Sequence, residues 1–138
     1  MNVNGNNPVK SVIDPGSSIV AMSEEVCHEL ALTYDPSIRI PLESANGGID
    51  ESLGLARNVP CEVGSIVLYI QIHIIRSPAS DILLGRPFDV LTESAIKNYR
   101  NDCQTIMIFD PNSSRTCVIP TIPRSHQRRK VIREDFRN

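Results

Sequence analysis

Tryptophan is absent from this 138-residue chain, and aromatic residues make up only 4% of it. That scarcity argues against the stacking platforms that hold single-stranded nucleic acids. No run of about 18 apolar residues occurs, so no membrane-spanning helix is expected. The longest apolar stretch, Ile66 to Ile75, is broken by Gln71 and His73. Met1 to Pro8 lacks the apolar core of a secretory signal, so an intracellular, cytoplasmic setting is expected. There is no C-x-x-C pair among Cys27, Cys61, Cys103 and Cys117, which excludes a zinc ribbon or a thioredoxin-like motif. The four are expected as free thiols packed like small hydrophobes. Net charge is only −2, so the whole chain is no nucleic-acid binder by charge. The charge is nevertheless uneven. Residues 124–138 carry six Lys or Arg against two acids, and residues 1–123 carry eight against fourteen. The basic tail is read as a mobile appendage, touching nucleic acid weakly if at all.

What the chain does have is turn chemistry. Ten prolines and seven glycines punctuate a sequence that is 41% hydrophobic, and its length suits one domain. Asn4-Gly5-Asn6-Asn7 is a turn. Strands are predicted over Val9 to Ile13 and again from Ile19. Ser23 is a helix cap ahead of Glu24 and Glu25, so a helix is predicted over Glu24 to Leu32. Ile38 to Leu42 and Leu53 to Val59 read as the two arms of a hairpin around Asn46-Gly47-Gly48. Further strands are predicted over Cys61 to Val63, Ile66 to Ile70, Ile72 to Ile75 and Ile82 to Leu84. A second helix is predicted over Phe88 to Ile96, and a last hairpin over Thr105 to Phe109 and Thr116 to Ile119. The sum is a mainly β domain over residues 1–123, a small closed barrel with one or two short helices.

Two features carry chemistry. One is Asp14-Pro15-Gly16-Ser17-Ser18, a loop between apolar segments. The other is Ile82-Leu83-Leu84-Gly85-Arg86-Pro87-Phe88-Asp89, an apolar strand breaking into a helix. The glycine hairpin Ser44 to Asp50 lies between them. In isolation Asp-Pro-Gly-Ser is a plain β-turn. In this order, over Pro8 to Arg124, the chain resembles the retropepsin-like aspartic proteases, the half-size peptidases of retroviruses and long-terminal-repeat retrotransposons. The Leu83 to Asp89 segment is most like retrotransposon polyprotein members.

The resemblance implies one lobe per chain and a homodimer, because the sequence holds one Asp-x-Gly. Asp14 would be the catalytic carboxyl. Pro15, Gly16, Ser17 and Ser18 would form the active-site loop, and Leu84, Gly85 and Arg86 would support it. Ser44, Ala45, Asn46, Gly47, Gly48, Ile49 and Asp50 would form the flap. No metal or cofactor is implied. The expected partners are a second copy and a peptide or polyprotein substrate, with no membrane. The family pattern is Asp-Thr-Gly or Asp-Ser-Gly, whose middle hydroxyl and amide bond across the dimer axis. Pro15 has neither group, which leaves Ser17 and Ser18 as replacements. Pro15 also opens the option of a cis bond at Asp14–Pro15. Ser18 stands where many viral members carry an Asp that pairs with the Gly-Arg arginine, so Asp89 is the expected partner of Arg86.

Overall fold

The computed structural model describes residues 1–43, 49–76, 80–123 and 130–132. In chain order the elements are β1 (Asn2–Val3), β2 (Ser11–Ile13), β3 (Val20–Ser23), α1 (Glu24–Glu29), β4 (Pro41–Glu43), β5 (Ile49–Glu51), β6 (Gly54–Val63) and β7 (Ile66–Ile75). They are followed by β8 (Ile82–Leu84), α2 (Arg86–Thr92), β9 (Ala95–Asn98), β10 (Gln104–Phe109), β11 (Thr116–Pro123) and β12 (Lys130–Ile132). Ten strands form one sheet in the order β1-β6-β7-β3-β8-β2-β12-β11-β10-β9, and β4 pairs with β5. The fold is mainly β with two short helices, as expected. The large sheet is a curled half-barrel whose ends are β1 and β9. No helix among the described residues is long and apolar enough to cross a membrane.

The longest pairing, β6 with β7, turns through Gly64 at φ +59°. Along β7, Ile66, Leu68, Ile70, Ile72 and Ile74 are all buried, while Val67, Tyr69 and Gln71 face out. Gln71 and His73 therefore sit at outward positions of a period-two pattern. They do not split the segment into the two predicted strands. Gln71 also serves β6: its side-chain oxygen accepts the Asn58 N–H (3.2 Å) beside the register shift between Ala56 and Val59.

Ser23 caps α1 as predicted, its hydroxyl accepting the Val26 N–H at 3.1 Å. The helix ends at Glu29, short of the predicted Leu32, because Ala31 takes a left-handed φ of 55°. That turn lets the Leu32 N–H close back on Cys27 O at 3.0 Å. It also brings Leu30, Leu32 and Tyr34 against the core. The second helix begins at Arg86, with Gly85 at its cap and a proline in its first turn, a position that proline suits. It stops at Thr92, where Glu93 turns left-handed (φ 47°), and the residues predicted to continue it form β9 instead.

Two further expectations change. The return arm of the hairpin expected as the flap is β5, pairing Pro41 with Glu51 and Leu42 with Asp50. Leu53 to Val59 belongs mostly to β6. Within the tail expected to be mobile, Lys130–Ile132 forms a strand between β2 and β11, Lys130 opposite Ile13 and Val131 opposite Val12. The extended β-branched pair Val131-Ile132 suits a strand. The other tail residues, 124–129 and 133–138, lie outside the described residues.

Candidate active site

Asp14 is fixed by the strand that precedes it. β2 runs parallel to β8 with Ile13 opposite Leu84, and the Asp14 N–H donates to Leu84 O at 2.9 Å, one step beyond the strand end. The chain then turns. The Ser17 N–H donates to Asp14 O at 3.1 Å, closing a four-residue turn with Pro15 in its second position. Its fixed φ suits that place. The Asp14–Pro15 bond is trans. Inside the turn, the Asp14 carboxylate oxygen Oδ1 accepts the Gly16 N–H at 3.1 Å. A Cβ on Gly16 would stand 3.3 Å from that oxygen, so a side chain there would push the carboxylate aside by a few tenths of an ångström. The plain turn and the expected active-site loop are thus one structure.

The loop is bound to the start of α2. The Arg86 N–H donates to Ser17 O at 2.8 Å. A Cβ on Gly85 would come within 2.0 Å of Ile19 O and 2.7 Å of Ser17 O, so only glycine permits this approach. Leu84, fully buried, anchors the strand below. The Ser17 hydroxyl donates to Ile19 O (3.1 Å) and accepts the Ile19 N–H (3.3 Å). Its one proton is taken up within its own loop, so it has no donor to offer across a dimer axis. Ser18 is exposed.

The expected pairing of Arg86 with Asp89 does not form. The Asp89 carboxylate instead accepts the Ser94 hydroxyl at 2.7 Å, and the Ser94 N–H bonds to Asp89 O, closing the end of α2. The Arg86 side chain is exposed and makes no ion pair with a described residue. It lies with Ser18, Pro87, Val90 and Leu91 around a groove of about 480 Å³.

Of the flap, Ser44, Ala45, Asn46, Gly47 and Gly48 lie outside the described residues. Ile49 pairs with Glu43 in β5, and Asp50 is exposed, its carboxylate accepting the Glu51 N–H at 2.8 Å. The hairpin is held at its base by a residue that the sequence did not single out. Ser52 is buried, accepts the Ile40 N–H on its hydroxyl (3.0 Å) and returns its own N–H to Ile40 O (2.9 Å). Only the hairpin register identifies that role. Among the described residues, no cluster of three His, Cys, Asp or Glu side chains is placed to hold a metal.

Comparison with known proteins bears on the family and the fold. Over 83 residues the chain is 25% identical to the DNA damage-inducible protein 1 of Yarrowia lipolytica, covering 60% of this chain and about a fifth (21%) of that protein. The crystal structure of the retroviral protease-like domain of Ddi1 from Leishmania major has a similar fold. Its TM-score is 0.60 at 17% identity, over 86% of this chain and 88% of that one. The family described as aspartyl protease matches residues 1–88, a span that takes in both the Asp14 turn and the Gly85-Arg86 step that braces it. This chain belongs to the aspartyl protease family.

Proposed function

We propose that the chain is one half of a dimeric aspartic endopeptidase whose site joins Asp14 of one protomer to the partner's Asp14. The observation that carries this reading is the Asp14 turn, held on one side by Leu84 O and on the other by the Gly85-Arg86 backbone. Peptide hydrolysis without metal or covalent intermediate needs a base for the water and an acid for the carbonyl. Two carboxyls brought together share one proton, since like charges that close do not both ionise. One carboxylate then takes a proton from water as its oxygen attacks the carbonyl carbon. The protonated carboxyl gives its proton to the carbonyl oxygen. A lone Asp14 holds only one of the two roles, so one chain needs a second.

The substrate class proposed is a polyprotein of a retroelement, on the resemblance of Leu83 to Asp89 to retrotransposon members. Pro15 favours a second reading, a catalytically silent module of the same fold that binds extended peptides by strand addition. The loop lacks the usual middle hydroxyl and amide, and the Ser17 proton is engaged elsewhere.

Cleavage of a peptide library between about pH 4 and 7 by the protein and by Asp14→Asn separates the two. The enzyme reading expects a loss of at least about 100-fold in Asp14→Asn, on the scale of general acid–base catalysis, with the melting temperature unchanged. Undiminished cleavage by Asp14→Asn refutes the assignment. No cleavage by either protein, with peptide binding retained, establishes the silent module.

A further inference from the structure

Asp14 follows a strand of three residues that is paired on both sides. Ser11, Val12 and Ile13 of β2 are all buried. On one side β8 runs parallel to β2, and the Asp14 N–H extends that pairing to Leu84 O. On the other side β12 runs antiparallel, with Val131 opposite Val12 and Lys130 opposite Ile13, the residue before Asp14. Both neighbours therefore reach the end of β2 that leads into the Asp14 loop.

The second neighbour matters for two reasons. A strand paired along one edge only keeps freedom to tilt about that edge. Without β12, β2 would be such an edge strand, with a row of unpaired backbone groups. Ser11 and Val12 have no exposure at all, so those groups would stay dry and unsatisfied or admit water next to Asp14. The other reason is connection. In sheet order β12 stands alone between β2 and β11, the start of the C-terminal strands β11-β10-β9. Three residue pairs hold it to β11 and two hold it to β2. Six residues, 124–129, separate Pro123 from Lys130, a connection length ordinary within one chain.

Building on the endopeptidase reading, we infer that β12 is a positioning element of the proposed active site, fixing β2 from its second side and so holding Asp14 in place. The segment that the sequence presents as part of a basic appendage acts on the reaction through β2, without touching substrate. Its role is carried by backbone pairing and is therefore sensitive to proline, which removes an N–H from the ladder.

The test uses the full chain and compares wild type, Val131→Pro and Lys97→Pro. The Lys97 variant makes the same change in β9, at the far end of the sheet. Hydrogen exchange reads the amides of Ser11 to Asp14, and cleavage kinetics are taken at a concentration where sedimentation shows equal self-association. In Val131→Pro the exchange of these amides should quicken at least about fivefold, the order of one net hydrogen bond. Its kcat should fall at least about tenfold, as for a misplaced catalytic group, with KM changed less than about twofold. Lys97→Pro should leave all three readings near wild type. Val131→Gly keeps the N–H and weakens the strand, so it gives a graded form of the same result should Val131→Pro fail to fold. Altered exchange at Ser11 to Asp14 with no cleavage by any of the proteins, wild type included, removes the enzyme reading and leaves the hold of β12 on the loop standing. Cleavage with unchanged exchange and unchanged kcat in the Val131 variants leaves the enzyme reading standing and overturns the role of β12. An equal effect of Lys97→Pro on exchange and kcat would mean a general loosening of the sheet, which also overturns it.

Discussion

His73 stands in β7 opposite Ala21 of β3 and Leu55 of β6. Its Nδ1 is buried and has no hydrogen-bond partner among the described residues. Burial pushes the imidazole pKa below its ordinary value of 6.5, because desolvation disfavours the cation. The fold therefore prefers the neutral ring, and the unfolded chain takes up a proton first as pH falls. The stability held by the neutral ring is whole above about pH 6.5. It is lost as pH falls from there through the lower folded value. In thermal unfolding, the wild type should lose melting temperature between about pH 7 and 5 more steeply than His73→Gln does. Parallel slopes would disprove it. The thiols follow the same physics. Burial pushes Cys61 up to about 12 and raises Cys27 and Cys117 as well. The reading of cysteines as small hydrophobes fits these three, while Cys103 is exposed. Spacing alone carries no sign of that difference, since it depends on the loop between β9 and β10.

At the scale of elements, the Asp14 loop, β8 and α2 form one unit whose joint is Gly85. The atoms that a Cβ on Gly85 would meet at 2.0 and 2.7 Å are backbone oxygens, which have no rotamer by which to withdraw. Gly85→Ala must move the loop off the helix start. It should destabilise the fold by about 3 kcal/mol, the upper range for an inserted methyl group. It should also reduce activity more than a core change of similar cost remote from the loop, such as Ile66→Ala. Urea unfolding and cleavage rates of the two variants check this, and equal activity at equal stability would refute the joint. This unit was legible in the sequence, because an Asp-Pro-Gly turn and an apolar strand broken by Gly-Arg-Pro are local signals. The capping of α1 by Ser23 was legible for the same reason. The helix ends were not: Ala31 and Glu93 stop the helices by left-handed turns at residues with no preference for them, where the tertiary contacts of Leu30, Leu32 and Ser94 override local propensity. β9 and β12 were missed because each is short and gains its strand character only from the neighbour it pairs with. The engagement of Asp89 by Ser94 was equally hidden, since it needs the turn at Glu93 to bring the two together.

For the whole molecule, the proposed dimer sets two surfaces against the geometry of one loop. The outer side of β10 and β11 exposes Met107, Phe109 and Val118, with Met107 directly opposite Val118. These apolar side chains are suited to cover by a second copy, which would supply interface area away from the axis. At the axis, Pro15 removes a hydroxyl and an amide from each protomer, and Ser17 offers no free proton to replace them. Each buried hydrogen bond contributes about 0.5–1.5 kcal/mol net. Four such bonds across the dimer would contribute about 2–6 kcal/mol at most, because neighbouring bonds do not add fully. Against this, proline stiffens the unfolded loop by about 0.4–1 kcal/mol where its φ fits, as it does in the second position of the Asp14 turn. The loss is the larger effect. Pro15→Thr should therefore tighten the dimer by at least about tenfold, the equivalent of 1.4 kcal/mol, and raise the cleavage rate most at low protein concentration. At saturating concentration the two proteins should converge, since both are then dimeric. Sedimentation velocity across a dilution series gives the dimer constant, and cleavage measured over the same series gives its functional counterpart. A dimer constant unchanged or weakened in Pro15→Thr would mean that contacts away from the axis already hold the two Asp14 loops together. A particle that stays monomeric at every concentration would remove the two-carboxyl site itself.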